Sequence, residues 1–232
     1  MITDLDGTLL DHDTYSYEAA RPALRRLNEL GVPLVIVTSK TAAEVAGLRR
    51  GMGVGGVDIT ENGARSSSSP ALCDALIQAS RQAGVQVRGF HQMTDEDVAA
   101  ASGLPLEIAR LARRRQHAEP FLITASDGAE RLLAAIDKLG LRWTRGGRFH
   151  HLFEQGGKGP AISRLLQHYP DARSLGLGDA PSDLEMLQVV EDPVIVSSAH
   201  LPTMRRVLPR ALVAQGLGHV GWNHAVNSWL DR

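Results

Sequence analysis

Residues 1–8 read Met-Ile-Thr-Asp-Leu-Asp-Gly-Thr, and this stretch decides the fold. A short apolar stub ends in two aspartates, Asp4 and Asp6, which stand two residues apart in front of a glycine. In open α/β sheets, ligands bind beyond the carboxyl ends of the strands. The stretch therefore predicts a strand at residues 1–3 with both carboxylates in the crevice where a ligand binds.

The two aspartates also predict a cation. Carboxylates crowded at one strand end repel each other unless a cation neutralises them, and a set of oxygen ligands favours Mg²⁺. The alternative interpretation of the same residues is an ordinary Asp-Gly turn without chemistry.

Three later motifs favour the chemical interpretation, because each follows a predicted strand or opens a predicted helix. Thr38 and Ser39 follow the apolar strand 33–37, where hydroxyls and amides at a helix N-terminus can hold phosphate. Lys158 opens a helix, and Asp179 and Asp183 follow a further strand. Each has a structural alternative, as a helix cap, a solvated lysine or a partner of a helix dipole.

Strand and helix patterns alternate at both ends of the chain but not in its middle. This predicts a doubly wound, mostly parallel, Rossmann-like α/β core over residues 1–68 and 155–232. The serine-rich stretch Arg65 to Pro70 is predicted to be a linker. Residues 69–154 combine helices with a hairpin around Gly146-Gly147, which predicts an inserted α+β cap domain.

Composition excludes several classes of protein. The chain has 25 basic and 26 acidic residues, so nothing in its charge points to nucleic acid or an anionic membrane. The one cysteine, Cys73, cannot form an internal disulfide or a cysteine-based zinc site, and we expect it to be a small core residue. No apolar run is long enough to span a membrane, and Asp4 and Asp6 do not fit a signal peptide. We therefore expect a cytoplasmic protein.

The four motifs together resemble the haloacid dehalogenase superfamily, in its aspartyl-phosphate phosphatase branch, with the insertion at the place of a C2-type, B-subtype cap. Within it, the chain is most similar to the mannosyl-3-phosphoglycerate phosphatase family. The strings that carry this closer resemblance are Thr38 to Thr41, Glu61 to Gly63, Thr94 to Val98, Ser102 to Leu104, Glu119 to Phe121, Gly146 to Phe149 and Gly221 to Asn223.

The superfamily resemblance implies roles for the two aspartates and for the metal. Asp4 would attack phosphorus and form an aspartyl-phosphate, and Asp6 would be the general acid and base. Mg²⁺ would be held by Asp4, the carbonyl of Asp6 and Asp179, with Asp183 binding it directly or through water.

The resemblance also implies the groups that bind the substrate. Thr38, Ser39 and Lys158 would bind the phosphate, and Lys158 would also stabilise the transferred charge. For the organic part, the residues that we expect to bind are Lys40, Glu119, Arg148 and His151.

The implied substrate is a small phosphorylated molecule, mannosyl-3-phosphoglycerate, and the implied product is mannosylglycerate, a compatible solute. Another sugar-phosphate phosphatase, acting on glucosyl-3-phosphoglycerate or hexose phosphates, is the alternative enzyme. A ligand-binding relative without turnover is a third interpretation, which the presence of Asp4, Asp6, Lys158 and Asp179 argues against. The oligomeric state stays open.

Two positions depart from the pattern of the resemblance. Ser182 stands where an asparagine usually precedes the last aspartate, and with Glu185 it has the spacing of a capping box. Gly157 stands where an aspartate often precedes the lysine. We expect Ser182 to weaken the tuning of the metal site without abolishing it, and Gly157 to remove a possible charge partner of the lysine.

Overall fold

The computed structural model describes residues 1–66, 69–146 and 148–232, which form two compact units. The first comprises Met1–Thr38, Val45–Gly63 and Gly157–Arg232, and the second comprises Ser39–Glu44 and Ala64–Gly156. The sequence predictions for Ser67 and Ser68 in the linker, and for Gly147 in the hairpin, lie outside the described residues.

The first unit is built on a six-stranded parallel sheet, with strands numbered along the whole chain. Their order is β10-β9-β8-β1-β2-β3. All paired neighbours run parallel, which confirms the predicted core. The strands are β1 (Ile2–Thr3), β2 (Val35–Val37), β3 (Asp58–Ile59), β8 (Leu175–Gly178), β9 (Asp192–Ser197) and β10 (Leu212–Leu217).

Helices cover both faces of this sheet, as a doubly wound fold requires. Successive residues of β2 point to opposite faces. Ile36 lies in one apolar cluster with Leu24 and Trp222, whereas Val35 and Val37 lie in another with Met186 and Met204. The helices are α1 (Arg21–Glu29), α2 (Ala42–Met52), α7 (Lys158–Leu166), α8 (Leu184–Val189), α9 (Leu201–Val207) and α10 (Gly218–Leu230).

The second unit is built on a four-stranded antiparallel sheet in the order β4-β5-β7-β6. The predicted hairpin is its β6–β7 pair. The strands are β4 (Val87–Gly89), β5 (Glu119–Ile123), β6 (Arg142–Gly146) and β7 (Phe149–Phe153), and the helices are α3 (Ser69–Ala83), α4 (Asp95–Ser102), α5 (Leu106–Ala112) and α6 (Ala129–Lys138).

Each face of the second sheet has its own apolar cluster. Phe121 and Leu152 pack with side chains of α3 and α6 on one face. Phe90 and Phe149 pack edge to face, with ring centroids 5.0 Å apart, in the cluster that includes α4 and α5. The sheet is therefore buried on both faces, and the position of a residue along a strand decides which helices it meets.

The structure corrects the sequence interpretation in three places. Ser69 and Pro70, predicted as linker, are already the first residues of α3. Cys73, predicted to be a core residue, is only half-buried. Helix α9 was not predicted, because its seven residues contain one buried side chain, Met204, and so show no apolar period.

The described residues include no helix that is both long enough and apolar enough to cross a membrane.

Candidate active site

Three of the predicted site residues, Lys158, Asp4 and Asp183, form a buried network of ion pairs. The Lys158 ammonium donates hydrogen bonds to Asp4 Oδ1 at 2.6 Å and to Asp183 Oδ1 at 2.7 Å. All three side chains are buried, and Asp183 is fully so. Asp4 is fixed at the end of β1 by its amide, which donates to Leu177 in β8. The lysine thus joins the end of β1 to the start of α8.

Asp183 also organises the loop after β8. Its Oδ2 accepts hydrogen bonds from the amides of Asp179 and Ala180, both at 3.0 Å. Ser182 lies in a short 3₁₀-helix, Pro181–Asp183, and α8 begins only at Leu184. The capping box predicted for Ser182 and Glu185 is therefore wrong, because the residue at the N-cap of α8 is Asp183.

Asp179 is the third carboxylate of the group. It lies directly after β8, next to β1 in the sheet, and its Oδ1 accepts a hydrogen bond from Thr8 Oγ1 at 3.0 Å. Gly7 has a φ of +78°, and a Cβ at this residue would lie 2.7 Å from Asp179 Oδ2. Position 7 therefore needs a glycine both for its backbone conformation and for the approach of Asp179.

The charges of this group fit a divalent cation. Ligand oxygens of Asp4, Asp179 and Asp183 lie within 4.8 Å of one another, facing a single ammonium. Burial, with the neighbouring carboxylates, raises the pKa of Asp4 well above its usual range, and burial with Asp183 raises the pKa of Asp179 to about 7. Burial opposes the charged form of Lys158, but Asp183 and Asp4 outweigh it and raise the pKa of Lys158.

Three carboxylates lie beside one lysine, so in their ionised form they carry more negative charge than the lysine neutralises. A set of carboxylate oxygens is the donor set that Mg²⁺ prefers, and the residues present fit that ion. Asp4 and Asp179 would be ligands, because the oxygens of Asp183 already bind Lys158 and two amides.

The other predicted core residues lie at the same end of the sheet. Asp6 follows Asp4 by two residues and is partly exposed. Thr38 follows β2 and is buried, with its amide bonded to Ile59 and its carbonyl to the amide of Asn62. Because the strands are parallel, their carboxyl ends share one edge of the sheet. Thr38 therefore lies at the carboxyl end of its strand, which is the end of the sheet where Asp4 and Asp179 also lie.

Ser39 and Lys40, which follow Thr38 in sequence, belong to the second unit. Arg115 Nη1 donates a hydrogen bond to the Ser39 carbonyl at 2.8 Å, and Thr41 Oγ1 donates to the Leu111 carbonyl at 3.0 Å. Thr41 and Glu44 form a capping box at the start of α2. Ser39, which the sequence predicts to bind phosphate, thus has its carbonyl held by Arg115, which follows α5.

The four substrate residues predicted from the sequence have different surroundings in the second unit. Lys40, His151 and Glu119 are buried, whereas Arg148 is exposed and donates to the Ala101 carbonyl at 3.0 Å. His151 lies opposite Pro120 in the sheet, on the face away from Glu119 and Leu152. Glu119 therefore does not share a face with His151.

Sequence reasoning missed a buried chain of hydrogen bonds that ends at the Asp4 carbonyl. Trp222 Nε1 in α10 donates to Thr3 Oγ1 at 2.9 Å, and this hydroxyl donates to the Asp4 carbonyl at 2.7 Å. No local pattern could have found it, because the partners are 219 residues apart. Thr8 was also missed, although its place after Gly7 is a signal that could have been used.

Comparison with known proteins agrees with this geometry. The family model for haloacid dehalogenase-like hydrolases matches residues 1–95. A glucosyl-3-phosphoglycerate/mannosyl-3-phosphoglycerate phosphatase from Methanococcoides burtonii is 32% identical over 97% of this chain and 95% of its own. A phosphatase of the same name from Persephonella marina is also 32% identical, with the same coverage. The chain belongs to the haloacid dehalogenase-like hydrolases.

A solved structure shares the fold of this haloacid dehalogenase-like hydrolase. It is a haloacid dehalogenase-like hydrolase from Bacteroides thetaiotaomicron, with a TM-score of 0.70, 16% identity, and coverage of 99% of this chain and 97% of that one. The match to the family model and the likeness of this chain to the two phosphatases identify the protein as a phosphoric monoester hydrolase.

Proposed function

We propose that this haloacid dehalogenase-like hydrolase removes the phosphate of mannosyl-3-phosphoglycerate and releases mannosylglycerate. The observation that carries the proposal is the likeness, over nearly the whole chain, to two phosphatases whose names give this substrate. Their names also give glucosyl-3-phosphoglycerate, which is therefore the second candidate substrate.

The first half of the proposed reaction uses Asp4 as nucleophile. One oxygen of its carboxylate attacks phosphorus, the bond between phosphorus and the ester oxygen breaks, and an aspartyl-phosphate forms. Asp6 gives a proton to the departing alkoxide, so that the product leaves as an alcohol. Lys158, 2.6 Å from Asp4 Oδ1, stabilises negative charge that develops on the transferred group.

The second half returns the enzyme to its starting state. Asp6, now a carboxylate, takes a proton from water, the water oxygen attacks phosphorus, and phosphate leaves Asp4. Asp4 and Asp179 would hold Mg²⁺, which when bound shields the anionic nucleophile from the anionic phosphate. Thr8 and Asp183 keep Asp179 in place through its carboxylate and its amide.

The organic part of the substrate carries a carboxylate and sugar hydroxyls. We assign its recognition to Lys40, Arg148 and His151 of the second unit, because the two cationic groups suit a carboxylate and an imidazole can hydrogen-bond a hydroxyl. Glu119 is not part of this proposal, since its carboxylate already accepts a hydrogen bond from the amide of His91. Cytoplasmic location stays a prediction from the sequence.

A phosphate-release assay tests the proposed substrate. With Mg²⁺ present, we expect kcat/KM to be highest for mannosyl-3-phosphoglycerate or glucosyl-3-phosphoglycerate, and at least about tenfold lower for hexose phosphates and for 3-phosphoglycerate. A hexose phosphate that is hydrolysed fastest would contradict the proposal and favour a general sugar phosphatase.

The variant Arg148→Ala tests recognition of the organic part. We expect it to raise KM or lower kcat for sugar phosphoglycerates and to leave hydrolysis of a small aryl phosphate nearly unchanged. Arg145→Ala is the matched control, because Arg145 is an exposed arginine on the same hairpin. Equal losses on both substrates would show that Arg148 acts through stability, for which its bond to Ala101 gives a route.

A further inference from the structure

A cluster of three different metal-binding side chains lies in the second unit and is not used by the proposed reaction. The Cys73 sulfur, a ring nitrogen of His91 and a carboxylate oxygen of Glu119 all lie within 4.8 Å of one another. Cys73 is on α3, His91 is in the short 3₁₀-helix Phe90–Gln92 after β4, and Glu119 begins β5. Three separate elements therefore converge on one point.

The sheet geometry explains why Glu119 meets α3. Glu119 is paired with Leu152 and is two residues before Phe121, so it shares their face of the sheet. Phe121 and Leu152 pack against Leu72 and Leu76 of α3. Glu119 is thus a buried carboxylate on the helix-covered face, where Cys73 of α3 donates a hydrogen bond to it.

Gly89 leaves the space in which the cluster forms. A Cβ at residue 89 would lie 2.5 Å from Glu119 Oε1 and 2.7 Å from His91 Nδ1, closer than such atoms ever approach. His91 Nδ1 lies 2.8 Å from the same Glu119 oxygen, which also accepts a hydrogen bond from the His91 amide at 3.0 Å. A side chain at position 89 would push these donor atoms apart.

We propose that Cys73, His91 and Glu119 bind a zinc ion. One sulfur, one nitrogen and one oxygen donor form a set that suits Zn²⁺ and does not suit Mg²⁺, which prefers oxygen ligands only. A single cysteine excludes a site made of several thiolates but not this mixed site. Three protein ligands leave the fourth position of a tetrahedral ion for water.

Zinc binding would change the protonation state of Cys73. Burial, with the charges of Glu119 and Asp74, raises the pKa of the Cys73 thiol to about 11. Zinc binding replaces the thiol proton, which is released to solvent, so the thiolate and the carboxylate together neutralise the ion. The His91 side chain is 25% exposed, which gives the ion a path from solvent.

Cobalt absorbance tests the site in the full-length protein. With excess Mg²⁺ present to occupy the aspartate site, Co²⁺ is added, and a thiolate-to-cobalt band is expected in the near ultraviolet. Because the chain has one cysteine, that band reports Cys73 alone. Zn²⁺ should then remove the band and slow alkylation of Cys73 by a thiol reagent. Absence of the band, or an alkylation rate that Zn²⁺ does not change, would overturn the proposal.

Variants separate the site from other zinc-binding groups. Cys73→Ser should abolish the cobalt band, and His91→Ala should weaken zinc binding by at least about tenfold. His168→Ala, which removes an exposed histidine at the end of α7, is the matched control and should bind zinc as the parent does. Thermal melting checks that each variant folds. Unchanged affinity in a folded His91→Ala protein would contradict the assignment.

Discussion

At the scale of single residues, the proposed mechanism depends on Asp4 more than on any other side chain. Its carboxylate is buried, receives a hydrogen bond from Lys158, and stands at the end of the strand that the first four residues predict. An amide in its place has nearly the same shape but does not attack phosphorus.

We therefore predict that Asp4→Asn lowers kcat to less than about 1% of the parent, since loss of a covalent nucleophile adds several kcal/mol to the barrier. The melting temperature should change by less than about 5 °C, because the amide relieves repulsion with two carboxylates while losing one charged hydrogen bond. The control is Asp13→Asn, which makes the same substitution at an exposed aspartate nine residues further along the chain and should keep full activity. Activity above that limit in a clean preparation would remove Asp4 from the mechanism.

At the scale of the elements, α10 supports the backbone of Asp4 although it contributes no group to the proposed reaction. Its Trp222 is fully buried, and the indole N–H, the Thr3 hydroxyl and the Asp4 carbonyl form one chain of hydrogen bonds. A buried donor or acceptor that loses its partner costs about 1–3 kcal/mol. This chain of hydrogen bonds therefore links the packing of the last helix, α10, to the position of the first strand, β1.

We predict that Thr3→Val destabilises the fold by about 2 kcal/mol and lowers kcat more than it raises KM, because it leaves the indole N–H and the Asp4 carbonyl without a partner. Thr3→Ser keeps the hydroxyl and should recover most of both losses. Urea unfolding and steady-state kinetics measure them. If the serine variant is as impaired as the valine variant, the threonine methyl group matters and the hydrogen bonds do not.

The elements also show how much could be predicted from the sequence. Apolar runs ending in polar residues were enough to predict the parallel core and to place Asp4, Thr38 and Asp179 at strand ends, because parallel strands share one carboxyl edge. Local spacing failed at Ser182, where a 3₁₀ turn moves the helix start to Leu184.

Contacts between distant parts of the chain could not be predicted, because no local pattern encodes them. The bond from Trp222 to Thr3 and the meeting of Cys73 with Glu119 depend on how helices pack on the sheets. The prediction that Cys73 is a core residue was wrong for the same reason, because its burial depends on how α3 packs against the sheet.

At the scale of the whole molecule, charge is distributed unevenly. The chain has a formal net charge of only −1, yet Asp4, Asp179 and Asp183 are buried around one lysine. Buried carboxylates that lack enough positive charge bind protons more readily in the folded state than in the unfolded state. The stability of the metal-free protein should therefore depend on pH through this site.

The sign of that dependence follows from Asp179, whose pKa is about 7 in the fold against 3.8 as the ordinary value. Between these values the folded state holds a proton that the unfolded state has lost, so the free energy of unfolding falls as pH rises from about 4 to 7. We predict that the metal-free protein melts at a lower temperature at pH 8 than at pH 5, and that Mg²⁺ raises the melting temperature more at pH 8, since only the ionised carboxylates bind it.

Calcium, which prefers looser coordination, should restore less activity than Mg²⁺ after chelation.

The control for this prediction is Asp179→Asn, which removes the titrating carboxylate and should flatten the difference in melting temperature between pH 5 and pH 8. Melting curves of both proteins, each with a chelator and with Mg²⁺ at pH 5 and at pH 8, give the values needed. A stabilisation by Mg²⁺ that is equal at the two pH values, or that survives in the variant, would mean that the ion binds elsewhere. Full activity after exhaustive chelation would contradict the metal role of this site independently of its stability.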